Sequence, residues 1–210
     1  MMLIKNKTAK ELLQPDPFLE FYEEQHKYYD LKKKHIVPRS ISDLKGKLEY
    51  RNANIEEGIK RGNAVHKACN IYAESKDKTL ALVSAGKYRQ YVENFINAGF
   101  WMNWEVIVSE FALVDRLHDI AGTLDLILQN KNNGQIILVD IKTGNKQNFK
   151  VQLGGYVNLL YKNFPDIKID FCSIFYVWEN EFKRVREETD ECLEEYENCK
   201  DLYFEKSLSW

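Results

Sequence analysis

The run Ile136-Ile137-Leu138-Val139-Asp140-Ile141-Lys142 limits most what this chain can fold into. Four consecutive branched apolar residues suit a strand covered on both faces, the place of a central strand in an α/β sheet. The preceding Lys131-Asn132-Asn133-Gly134 lies between two apolar stretches and marks a tight turn from a neighbouring strand. Strand side chains alternate, so Asp140 and Lys142 share one face and Ile141 points to the other. A carboxylate and an ammonium are thus expected together at the end of a buried strand. By itself this is also the pattern of a simple salt bridge.

The rest of the chain reads as helices, three strands, a helix, two strands and a helix. Asp16-Pro17 predicts a helix start, Asp as N-cap and Pro at the first helical position, with Phe18, Phe21, Tyr22, Tyr28 and Tyr29 on an aromatic face and Lys32-Lys33-Lys34 at its end. A short helix is expected over 40–50 and longer ones over 55–74 and 79–98. Alternating, β-branched stretches predict strands over 104–114 and 118–129, with 135–142 the third. A helix over 149–164 stopped by Pro165, strands over 169–178 and 182–185, and a helix over 189–204 complete the order. Thr189, Asp190 and Glu191 suit the start of that last helix. The expected fold class is α/β, a central mixed β-sheet flanked by helices. One domain is expected over 1–210, with an N-terminal helical part (1–60), a core (61–178) and a C-terminal strand and helix (179–210).

A chain of 210 residues can bury one sizeable core. Its net charge of -2 does not mark it as a general polyanion binder, but the distribution is uneven. Residues 1–70 carry 14 Lys and Arg against 10 Asp and Glu; residues 179–210 carry 5 against 11. A nucleic acid would run over local basic ground and away from the acidic end. The N-terminus lacks the apolar centre of a signal peptide and no apolar run is long enough to span a bilayer, so a cytoplasmic protein without membrane contact is expected. Cys69, Cys172, Cys192 and Cys199 show no C-x-x-C spacing, and disulfides are not expected.

Asp125, in Gly122-Thr123-Leu124-Asp125, lies on the strand before Asp140, where hairpin pairing can bring the two carboxylates side by side. Carboxylates held close repel, and a divalent cation with a preference for oxygen removes that cost. Such a cation activates bound water and polarises a phosphoryl oxygen, while Lys142 can orient the water or stabilise charge on the phosphate. On the next helix Gln152 and Tyr156 stand four apart on one face, at the edge of the apolar stripe Leu153, Val157, Leu160 and Phe164.

Taken together, Gly122-Thr123-Leu124-Asp125, Asp140-Ile141-Lys142-Thr143-Gly144 and Gln152-Leu153-Gly154-Gly155-Tyr156 resemble the RecB-like exonuclease branch of the PD-(D/E)-x-K nuclease superfamily. Upstream, Arg61-Gly62-Asn63-Ala64-Val65-His66 is similar to the helix that supplies a metal-binding histidine in that branch, and Glu110 in Val108-Ser109-Glu110 to its extra acid. The match covers about 61–156, with five motifs in order. Leu124 stands where the family name has proline.

The resemblance implies a restriction-endonuclease-like core and Mg²⁺ or Mn²⁺ held by His66, Glu110, Asp125, Asp140 and the carbonyl of Ile141. It implies catalytic work for Asp125, Asp140, Lys142, Glu110, Gln152 and Tyr156. Contacts to DNA are expected from Arg61, Thr143, Lys146, Gln152 and Tyr156. The implied activity is DNA exonuclease action in phage or bacterial recombination or repair, on double- or single-stranded ends. A recombination or single-strand-binding protein is an expected partner. An endonuclease with the same site and a catalytically silent DNA-binding module are the rival readings.

No iron–sulfur cluster is expected, because Cys192 and Cys199 have no third cysteine nearby and form with Tyr196 and Tyr203 an apolar helix stripe. Trp101, Trp104, Phe149 and Trp178 could stack on unpaired bases, and Lys150 could meet a phosphate; core packing and solvation are their ordinary uses.

Overall fold

A computed structural model describes residues 8–22, 25, 27–44, 55–144 and 149–207. The chain runs from a one-turn helix α1 (Ala9–Leu12) through β1 (Leu19–Tyr22), β2 (Lys27–Asp30), β3 (His35–Ile36) and β4 (Arg39–Ser40) to a short α2 (Ile41–Leu44). Three helices follow, α3 (Ile55–Ser75), α4 (Lys78–Ala85) and α5 (Arg89–Asn97). Then come β5 (Trp104–Asp115), β6 (Ile120–Asn130), β7 (Ile136–Lys142), α6 (Phe149–Asn163), β8 (Phe171–Val177), β9 (Phe182–Glu187) and α7 (Thr189–Ser207). The protein is mixed α/β, a multi-stranded mixed sheet flanked by helices.

The stretch after Asp16-Pro17 is a β-hairpin and not the expected helix. β1 and β2 pair antiparallel, and β3 adds to them as a small separate sheet. Asp16 does cap, but it caps a turn: its carboxylate accepts the Phe18 N–H at 2.9 Å and pairs with Arg116. The aromatics there favour a pleated, half-buried surface over a helix face. Phe21 and Tyr28 meet with ring centroids 4.7 Å apart and pack on Val114 and Ala121 of the main sheet. The helix expected over 79–98 is two helices, broken where Gly86 takes φ +56°, a left-handed conformation that glycine adopts without strain. Of the helix expected over 40–50, the described part is α2. From α3 on, the remaining elements fall within a few residues of their expected bounds, whereas α1, β3 and β4 had no expected counterpart.

The large sheet has the order β4-β6-β7-β8-β9, with β5 along the other side of β6. β6 and β7 are antiparallel and pair from Gln129↔Ile136 to Leu126↔Val139, where the ladder stops. β7 continues alone beside β8, in parallel, through Asp140, Ile141 and Lys142. β6 instead turns to pair in parallel with β4 at Ile120 and Ala121. The sheet therefore forks just where Asp125 and Asp140 would have been partners.

Two apolar layers cover the sheet. Val65, Ala68, Cys69 and Phe95 pack on Leu126, Leu128, Ile137, Val139 and Ile141 on one face. Leu153, Tyr156, Val157, Leu160, Cys192 and Tyr196 pack on Leu124, Ile127, Leu138 and Ile174 on the other. Asp140 and Lys142 alternate with Ile137, Val139 and Ile141, so they belong to the α6 face. The expected stripe on α7 packs as read, Cys192 and Tyr196 buried and Cys199 and Tyr203 half-buried at the core.

The glycines of Gly154-Gly155 are there for packing. A β-carbon on Gly154 would lie 1.9 Å from the Cys192 carbonyl oxygen of α7, and one on Gly155 2.7 Å from Ile41. Gly154→Ala is expected to cost about 3 kcal/mol or more by forcing α6 and α7 apart. A urea midpoint equal to wild type would contradict this close approach.

Asp115, at the end of β5, is 5% exposed and gathers the Leu117 and His118 amides, the His118 ring and the Lys162 ammonium. Burial would raise its carboxyl, but Lys162 and His118 outweigh burial and bring it down to about 2. A depressed carboxyl contributes stability that is full above its unfolded value near 3.8 and is lost as the pH falls toward 2. Asp115→Asn is expected to cost about 2 kcal/mol at neutral pH, by removing the buried charge that the two amides, His118 and Lys162 hold, and to flatten the loss of stability between pH 4 and 2. Urea titrations across that range measure both.

Candidate active site

The fork in the sheet is bridged by a side chain. With the β6–β7 ladder ended, the Ile141 N–H donates to Asp125 Oδ2 at 2.6 Å, so the carboxylate takes the place of a strand carbonyl. Asp125 Oδ1 meets His66 Nδ1 at 3.3 Å. Burial would raise the Asp125 carboxyl, but the charge and hydrogen bond of His66, the charge of Lys142 and the Ile141 amide together hold it below the usual range. Burial would likewise lower His66, and the Asp125 charge and hydrogen bond reverse this and raise it.

Asp140 and Lys142, 2% and 4% exposed, form an ion pair with each other. Asp140 Oδ2 is buried and receives no hydrogen bond of good geometry, although Lys142 lies beside it. Asp125 is thus held by the His66 ring and the Ile141 amide, and Asp140 by the Lys142 ammonium. Among the described residues no group of three His, Cys, Asp or Glu side chains converges closely enough to hold a metal ion as it stands.

α6 supplies Tyr156, whose ring presses on the sheet where Gly122 leaves room; a β-carbon there would lie 2.9 Å from the ring. Gln152 Nε2 donates to the Tyr156 hydroxyl at 2.8 Å, the spacing-four contact expected on this helix. Both residues are 6% exposed, so they stand behind the acids as a brace and not on an open surface. Burial, then the charges of Asp140 and Asp125, push the Tyr156 phenol well up, which keeps it a neutral hydrogen-bond donor.

Glu110 sits in β5 between Ser109↔Leu126 and Phe111↔Leu124, which places it across from Asp125. Its φ of +43° is a left-handed conformation that costs a non-glycine residue energy, and its exposed carboxylate accepts a hydrogen bond from Asn70 Nδ2. On α3, Arg61 lies beside Tyr91, 5.8 Å from its ring, and beside the turn after β7; a β-carbon on Gly144 would be 3.9 Å from Arg61 Nη2. Gly62 faces Thr143 in the same way, at 3.8 Å. Lys146 lies outside the described residues.

Two site residues escaped the sequence reading. Asn70 is buried one helical turn after His66, and the spacing of four on α3 would have found it. Tyr28 donates to or accepts from Thr123 Oγ1 at 2.9 Å, two residues from Asp125. Burial, with further help from the charges of Glu110 and Asp125, pushes its phenol up to about 12. It was hidden by reading its strand as a helix.

No family model and no curated protein matches the chain. Among solved structures, the crystal structure of SSO0001 is similar over 78% of this chain and 75% of that one, at 17% identity and a TM-score of 0.34. A likeness at that level carries no argument about fold or chemistry. Among the described residues no helix is long and apolar enough to cross a membrane.

Proposed function

We propose that this chain is a Mg²⁺- or Mn²⁺-dependent DNA exonuclease of the PD-(D/E)-x-K type, with a restriction-endonuclease-like core, acting in the cytoplasm in phage or bacterial recombination or repair. The observation that carries the reading is the fork itself: Asp125 and Asp140 come from two strands that part just there, and Lys142 shares the face of Asp140.

The donor chemistry of these residues suits a divalent cation, although among the described residues their side chains do not converge on one point as they stand. Asp140 Oδ2 is a buried anionic oxygen without a hydrogen bond of good geometry, and Asp125 is held ionised. Hard oxygens with one imidazole suit Mg²⁺ or Mn²⁺. Asp125, Asp140 and the Ile141 carbonyl would hold the ion, with His66 and Glu110 beside them. When bound, the ion supplies an activated water and a polarised phosphoryl oxygen.

The chain's own groups do the rest. Lys142 positions the attacking water and stabilises charge that develops on the phosphate. The Tyr156 phenol, held neutral near the acids and backed by Gln152, keeps a hydroxyl proton to offer there. Arg61 and Thr143 take phosphates along the strand, as does Lys146. DNA is the partner, with a recombination or single-strand-binding protein to deliver it.

A cleavage assay on end-labelled linear duplex, linear single strand and closed circular DNA tests the proposal. Metal-dependent loss of the linear forms alone is expected. Cutting of the circle makes the protein an endonuclease with this site, and no cleavage of any form, with metal bound, leaves a silent DNA-binding module.

A further inference from the structure

Residues paired directly across neighbouring strands share a face. Lys142 pairs with Tyr176 of β8, and Tyr176 pairs with Lys183 of β9. The three side chains therefore form a row on the face that carries Asp140, with the strands roughly 4.8 Å apart. Tyr176 is half-buried, packed against the layer under α6, and its phenol is shifted up by burial and by the charge of Asp140, with Lys142 opposing.

Trp178 continues the row. Its ring lies on that of Tyr176, centroids 5.0 Å apart and 28° from parallel, and it is half-exposed. Its backbone is fixed on both sides: the N–H donates to the Glu181 carbonyl at 2.9 Å, and the carbonyl accepts from Asn94 Nδ2 at 2.9 Å. The ring is in place before anything binds, so stacking on it requires little further ordering. Lys183 is exposed and has no ion-pair partner among the described residues, whereas nearby Lys150 and Arg186 are paired with Glu191 and Glu188.

We infer that Tyr176, Trp178 and Lys183 form a subsite for an unpaired nucleotide next to the cleaved bond, so that the DNA end taken by this site is single-stranded. The inference rests on the nuclease reading and adds its substrate class. A stacked aromatic pair beside a free ammonium holds a base face and its phosphate. Inside a duplex the bases stack on one another, and only the terminal pair leaves a face open, whereas every unpaired base offers one.

Fluorescence anisotropy with labelled oligothymidylate and a blunt duplex tests the subsite, in an Asp140→Asn background and without divalent metal so that cleavage does not interfere. Trp178→Ala is expected to weaken oligothymidylate binding by roughly tenfold with the salt slope unchanged, while Trp178→Phe keeps most of the affinity. Lys183→Gln is expected to make the slope of log affinity against log salt shallower by about 0.7, the mark of one lost phosphate contact to a single strand. A merely structural role moves neither selectively. Wild-type cleavage of DNA together with unchanged oligothymidylate affinity and salt slope in all three variants overturns the subsite alone. Absence of both cleavage by wild type and DNA binding removes the nuclease reading beneath it.

Discussion

Asp140→Asn is expected to lower cleavage of linear DNA by roughly 10³-fold or more while the fold is kept. Asparagine has nearly the shape of aspartate but lacks the charge that a divalent ion requires. Removing one electrostatic contact to a reacting phosphate costs on the order of 10²- to 10³-fold, and Asp140 would contribute to both ion and water. The substitution also leaves Lys142, 4% exposed, without its ion-pair partner. Breaking a buried pair by removing one member costs about 3 kcal/mol. Urea unfolding should therefore show a cooperative but less stable protein. Cleavage at the wild-type rate would remove Asp140 from the site, and an unchanged urea midpoint would contradict the buried pair.

Lys142→Met separates chemistry from ion binding. Methionine keeps the length and apolar stem of lysine while deleting the ammonium that lies beside Asp140. Cleavage is expected to fall by roughly 10³-fold, since the group proposed to orient water and stabilise the phosphate is gone. Mn²⁺ affinity is expected to equal or exceed that of wild type, because the cation already occupying the Asp140 carboxylate has been removed. Calorimetry with Mn²⁺ and single-turnover cleavage measure the two effects. Weaker Mn²⁺ binding in Lys142→Met would mean that the ammonium supports the fork and not the reaction.

The sheet around the fork was legible because its signals are local. Lys131-Asn132-Asn133-Gly134 is a turn by residue type, and the β7 run is buried on both faces as its composition required. The same alternation placed Asp140 and Lys142 together. The first forty residues were not legible: Asp16-Pro17 is good helix-start chemistry, and Asp16 does cap a backbone N–H. What decided for strands was tertiary, namely the packing of Phe21 and Tyr28 on Val114 and Ala121. The fork was also beyond local reading. Nothing in β6 alone says that its ladder with β7 ends at Leu126, because the cause is the pairing of β4 with Ile120 and Ala121, some eighty residues away in sequence. For the same reason the role of Asp125 as a bridge to the Ile141 amide could be found only in three dimensions.

In the proposed site Asp125 and Asp140 share a divalent ion at the fork. The direct measurement is a calorimetric titration of Mn²⁺ into the wild-type protein and into Asp125→Asn and Asp140→Asn. Saturable binding to wild type, lost in both variants, is the predicted result. Equal binding in all three proteins, or none to wild type, would contradict it.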